Sequence, residues 1–114
     1  MTILDQVTWV DVCGLDDLQP DRGVCALVGG RQVAVFRLSP DDALHAIDNR
    51  DPFSGAHVLS RGLVGSAGEV PKVASPVYKQ AFDLRTGQCL DDPQVSVATF
   101  PVRLVDGRVL VGTT

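Results

Sequence analysis

The chain has 114 residues, 45% of them hydrophobic and 21% charged, and a formal net charge of -4. That length suits one domain, residues 1–114, with apolar content enough for a single core, which excludes intrinsic disorder. The acidic balance argues against nucleic acid as a partner, since phosphate binding needs a concentrated basic surface, and no apolar run is long enough to span a bilayer.

The first residues, Met1 to Gln6, lack a basic region followed by an apolar one, so no secretion signal is read and a cytoplasmic location is expected. Thr8–Val12 alternates and predicts a first strand, with Trp9 packed against the core. Gly14–Gly23 is a polar connection with room for one helical turn around Leu15–Leu18. Val24–Val28 and Val33–Leu38 predict two strands joined at Gly29-Gly30, a hairpin signal. Ser39-Pro40-Asp41-Asp42 is either a helix start or a turn; the turn is favoured, because the segment behind it is too short for a helix before Asn49. Ala43–Asp48 is then a fourth strand carrying His45 as an ordinary strand residue.

Asn49–Gly55 is a loop, and Ala56–Ser60 suits a helical turn ended by Arg61-Gly62. Leu63–Gly68 is Gly-rich and reads as a loop. Glu69–Ala74 is a short strand that Pro71 should confine to a sheet edge. Ser75–Gly87 reads as a tight loop, then a strand in which Phe82 and Leu84 share the buried face, then a turn at Gly87 with positive φ. Asp91-Asp92-Pro93 is another turn. Thr99–Val111 is a hairpin about Asp106-Gly107, pairing Leu104 with Val109, Val102 with Val111, and Arg103 with Leu110. Many short strands punctuated by Gly and Pro predict an all-β sandwich or barrel-like fold with little helix.

The cysteines, Cys13, Cys25 and Cys89, are odd in number and lack metal-ligand spacing, so they are expected to be free, small buried hydrophobes. The paired acids Asp16-Asp17, Asp41-Asp42 and Asp91-Asp92 stand at turns, where solvated carboxylates belong. Gly62, Gly65 and Gly68 lack the strand-then-helix setting of a dinucleotide loop. His57 has no second ligand beside it. No catalytic residue and no metal site is expected.

Ser75-Pro76, then Phe82-Asp83 and Thr86-Gly87, resembles the second cluster-binding loop of Rieske iron–sulfur domains. Asn49–Gly55 is similar to the first. The resemblance implies a Rieske-like sandwich of short antiparallel strands whose two loops project from one end. It puts the four ligand positions on Asp51, Phe53, Ser75 and Tyr78. A [2Fe–2S] centre of this type needs two thiolates and two imidazoles. A carboxylate, a phenyl ring, an alcohol and a phenol stand there instead, so no cofactor is expected in this chain.

Asp51-Pro-Phe53, Val58-Leu-Ser-Arg-Gly-Leu63, Val73-Ala-Ser-Pro76, Lys79-Gln80 and Cys89 narrow the resemblance to the small-subunit family of cytoplasmic NAD(P)H-dependent nitrite reductases. That implies an accessory subunit without a catalytic centre. Its partner is a large subunit carrying FAD, an iron–sulfur cluster and sirohaem, which passes six electrons to nitrite and yields ammonium. By analogy with Rieske proteins the loop end faces that partner, through Arg50, Phe53, Arg61, Tyr78 and Lys79. The alternative is a stand-alone degenerate Rieske module that binds another oxidoreductase or a small ligand.

Overall fold

The computed structural model describes residues 7–113; the stretch Met1 to Gln6, read above for a signal, lies outside them. The described residues form ten strands in three antiparallel sheets. They are β1 (Thr8–Gly14), β2 (Arg22–Val28), β3 (Arg31–Leu38), β4 (Ala43–Asp48), β5 (Leu63–Ala67), β6 (Val70–Ala74), β7 (Ala81–Asp83), β8 (Thr99–Phe100), β9 (Val102–Val105) and β10 (Arg108–Thr113). The sheet orders are β1-β10-β9, β2-β3-β4-β8 and β5-β6-β7. The only helical elements among the described residues are 3-10 turns at Leu15–Asp17 and Leu59–Arg61. No helix there is long and apolar enough to cross a membrane.

β3 explains the layering. Its residues Val33 to Phe36 are all buried, and alternate side chains leave a strand on opposite faces. Val33 and Val35 join Leu18, Val28, Ala46, Val109 and Val111 in a cluster against β10. Ala34, Phe36 and Leu38 join Ile47, Leu59, Val73, Phe82, Leu84 and Cys89 in a second cluster. Each fully buried Val, Leu, Ile or Phe contributes roughly 1.5–3 kcal/mol relative to exposure. The second cluster is the floor on which the two loops rest.

The hairpins follow their turn residues. Gly29-Gly30 and Asp106-Gly107 both take paired positive φ, as a type I′ turn requires. The predicted register of the last hairpin is the observed one, Leu104 with Val109, Arg103 with Leu110 and Val102 with Val111. Its first two residues differ: before Pro101 they form β8, which pairs with β4 in the central sheet. Ser39–Asp42 is a turn, through a cis Ser39–Pro40 bond.

Several expectations are corrected. Leu63–Ala67 is a strand, not a loop, paired along its length with β6. β6 is therefore the middle strand of its sheet. Pro71 is tolerated there because its nitrogen faces the side where β7 has ended, beyond the Lys72–Asp83 pair, and its carbonyl still accepts from the Leu84 amide at 2.9 Å. Trp9 belongs to neither core cluster; half-buried on β1, it lies under the Arg103 guanidinium, 3.8 Å from the ring centre. Of the cysteines, all free, only Cys89 is buried. Cys25 is exposed on β2, an edge strand, and Cys13 is half-buried.

Candidate functional site

Both loops are built from one turn, and the chain uses that turn a third time. In each, the first residue donates its N–H to the carbonyl of the sixth: Asp51 to Ala56 at 2.8 Å, Ser75 to Gln80 at 2.9 Å, Asp83 to Gln88 at 2.9 Å. The fifth residue donates back to the first: Gly55 to Asp51 at 2.7 Å, Lys79 to Ser75 at 3.0 Å, Gly87 to Asp83 at 2.7 Å. The third residue's N–H meets the first residue's side-chain oxygen: Phe53 on Asp51 Oδ1 at 2.9 Å, Val77 on Ser75 Oγ at 3.2 Å, Arg85 on Asp83 Oδ1 at 2.8 Å. Asp and Ser at the first position supply that acceptor. The fifth residue has φ of 78°, 66° and 79° at Gly55, Lys79 and Gly87. At Gly87 a Cβ would be driven into the Val97 carbonyl oxygen, so glycine is required for space as well as for φ.

The four ligand positions have separated. Asp51 and Ser75 are buried, and Ser75 Oγ–H donates to Asp51 Oδ2 at 2.6 Å. Burial disfavours the charged form of Asp51, yet the donors from Ser75, Phe53 and Ser54 outweigh it and hold the carboxyl below the usual carboxylate range. Phe53 is half-buried, its ring 6.2 Å from that of Phe82 in the core. Phe53 thus packs onto the core cluster beneath the loops, and Tyr78 does not. Tyr78 is 61% exposed, because it is the fourth residue of its turn and stands at the loop tip beside Val77.

These donors do not fit a [2Fe–2S] centre. The two inner groups are hard oxygens already satisfied by each other and by backbone amides. Phe53 has no donor atom, and the Tyr78 phenol sits at the exposed tip. A Rieske centre calls for soft thiolates on one iron and imidazoles on the other. Among the described residues no three His, Cys, Asp or Glu side chains are grouped to hold a metal ion.

The remaining predicted residues surround the loops. Arg50, Arg61 and Lys79 are exposed. Arg61 and Lys79 line a shallow cleft of about 310 Å³ with Leu63, Ala74 and Pro76, and no acidic side chain lines it. A chain of net charge -4 therefore presents cations and apolar groups together at this end. Leu63, 80% exposed, is the largest apolar side chain lining that cleft and was missed. It was hidden by the loop reading of Leu63–Gly68; an edge strand next to the Ser75 loop makes it a surface residue.

Asn49 was also missed. Fully buried behind the first loop, it donates from Nδ2 to the His57 carbonyl at 3.1 Å and to Gln32 Oε1 at 3.2 Å, and accepts from the Ser60 amide at 2.7 Å. It ties the first loop, the 3-10 turn at Leu59–Arg61 and the central sheet together. An Asn bounding a strand and a loop was the available signal.

Three sheets with two like-built loops over one core cluster define a Rieske-like domain, and the sequence profile of the Rieske-like [2Fe-2S] domain matches residues 8–112. The chain is 48% identical over 101 residues to the nitrite reductase (NADH) small subunit of Escherichia coli K12, covering 89% of this chain and 94% of that one. It belongs to the Rieske-like family, in the branch of the nitrite reductase small subunits. Its fold is similar to a Mycobacterium tuberculosis crystal structure assigned as an NADH-dependent nitrite reductase small subunit, with a TM-score of 0.93, 50% identity, and coverage of 96% of this chain and 98% of that one. It is also 44% identical over 104 residues to the nitrite reductase [NAD(P)H] large subunit of Klebsiella oxytoca, covering 91% of this chain but 11% of that protein.

Proposed function

We propose that this chain, acting as one domain, is the cofactor-free small subunit of an NAD(P)H-dependent nitrite reductase in the cytoplasm, and that it works by docking on the large subunit. The observation that carries the reading is the paired match. The same sequence resembles a small subunit over nearly its full length and a short portion of a Klebsiella large subunit. In the Klebsiella protein a domain like this one shares a polypeptide with the rest, which fixes a high effective concentration between them. A separate chain must reach the same association through its own surface.

The two-loop end supports that role. Arg50, Arg61 and Lys79 offer cations, and Phe53, Tyr78 and Leu63 offer apolar area, a combination suited to an apolar centre with an acidic rim on the partner. The redox chemistry belongs to the large subunit, for which the family resemblance implies FAD, an iron–sulfur cluster and sirohaem. Nitrite accepts six electrons from three NAD(P)H and becomes ammonium. This chain contributes no electron-carrying group to that transfer.

The test is co-purification with the large subunit, followed by nitrite-dependent NAD(P)H oxidation with and without this chain. Association and a higher rate in its presence are expected. Iron and sulfide analysis after anaerobic, iron-replete expression should find neither in the small subunit. A stoichiometric cluster, or no association, overturns the reading.

A further inference from the structure

Asp51 and Ser75 hold the same place in two turns of the same build, and their side chains meet at 2.6 Å in the interior. One unbroken series of hydrogen bonds results. The Val77 amide donates to Ser75 Oγ, the Ser75 hydroxyl donates to Asp51 Oδ2, and the Phe53 amide donates to Asp51 Oδ1. It runs from the backbone of one loop to the backbone of the other. Among the described residues it is the only hydrogen bond between segments 49–55 and 75–80.

The third turn shows that this link is not a by-product of turn geometry. Asp83 caps its own turn in the same way, but its second oxygen pairs with Arg85 of that turn at 3.2 Å and reaches no other loop. The cross-loop use of Asp51 is therefore a separate feature, made by a hydroxyl facing a carboxylate.

We infer that Asp51 and Ser75 are a positioning pair, whose hydrogen bond locks the two loops into the arrangement that the large subunit binds. The inference rests on the docking reading above. Core packing alone seats each loop separately, and any residual freedom of one against the other would have to be ordered on binding. The lock orders them beforehand.

Because both residues occupy equivalent turn positions, the pair can be exchanged. Asp51→Ser and Ser75→Asp each leave a side-chain oxygen to cap the local turn. Alone, Ser75→Asp sets two carboxylates against each other, and Asp51→Ser shortens the reach. Together they restore a hydroxyl facing a carboxylate with the roles reversed. Amide hydrogen exchange at Phe53 and Val77 in the full chain reads the lock without the partner. Calorimetric titration with the large subunit reads its consequence.

Each single variant is expected to speed exchange at both amides and weaken binding by about tenfold, the size of one charge-assisted hydrogen bond. The double variant should recover both. Wild-type exchange in the single variants, or a double variant no better than the worse single, overturns the lock. Faster exchange with unchanged affinity, while Tyr78→Ala still weakens binding, overturns its role in docking. If Tyr78→Ala also leaves affinity unchanged, the docking reading fails, and the exchange data alone uphold the lock.

Discussion

The rings of Phe53 and Phe82 lie 6.2 Å apart between centroids, with planes 43° to one another. Phe82 is fully buried on β7, whereas Phe53 is half-buried on the first loop. The contact therefore presses a loop onto the core. A fully buried Phe truncated to Ala costs about 3–5 kcal/mol, and a half-buried one should cost about 2 kcal/mol. Chemical denaturation of Phe53→Ala measures it; a midpoint equal to that of the wild type would mean the ring only covers the surface.

Asn49 should be more sensitive than its size suggests. Asn49→Ala removes the acceptor for the Ser60 amide and the donor to the His57 carbonyl, at about 2–3 kcal/mol. Asn49→Asp is nearly isosteric and keeps the acceptor. It nonetheless turns the donor towards His57 and Gln32 into a second oxygen facing two oxygens. Both variants should therefore lower the melting temperature by similar amounts, and an unperturbed Asn49→Asp protein would contradict the network.

How much of this was legible follows from where local signals and tertiary context agree. The Leu104–Val109 register was readable because Asp106-Gly107 fixes both turn type and pairing. Val33–Leu38 was readable as a strand, but burial of both its faces shows only in the packing. β5 was not readable, since Gly65 and Ser66 have little strand preference and only pairing with β6 makes them a strand. Pro71 argued locally for an edge, and only the early end of β7 admits it to a middle strand. In the site, the resemblance to Rieske loops put Asp51 and Ser75 in corresponding loops. Their direct bond depends on how the loops rest on a common core, which no local pattern encodes.

His45 gives the fold a pH dependence near neutrality. Burial of its ring pushes the imidazole below its ordinary value, and Arg85 adds to this, while Asp83, Asp41 and the Leu84 carbonyl pull the other way. The unfolded chain takes up that proton near pH 6.5 and the folded chain only at lower pH. Between those points the unfolded state binds more protons, so stability falls as pH drops from about 6.5 through the folded value. Asp51 and Asp83, both held low, lose their contribution in a separate window, below about pH 4. Melting temperatures from pH 8 down to 5 should decline in the wild type and decline less in His45→Gln. A flat wild-type profile over that range would remove the effect.

The loop end should carry the binding energy towards the large subunit. Tyr78 is exposed without being needed by the core, and Arg50 is exposed in the first loop. Aromatic and arginine side chains are the usual anchors of an interface, worth about 2 kcal/mol or more each when buried by a partner. Tyr78→Ala should weaken association by roughly 10–100-fold on that scale, and Arg50→Glu by a similar factor with a slower on-rate, because it reverses the local charge. Neither should change the circular dichroism spectrum. The control must be chosen with care. Asp17 accepts from the Gly14 amide at 2.9 Å, so its removal disturbs the connection after β1. Asp16 is exposed in the same 3-10 turn and is the better control. Calorimetry of Asp16→Ala should match the wild type. Equal losses in that control and the loop variants, or wild-type affinity in both loop variants, would place the interface elsewhere on the chain.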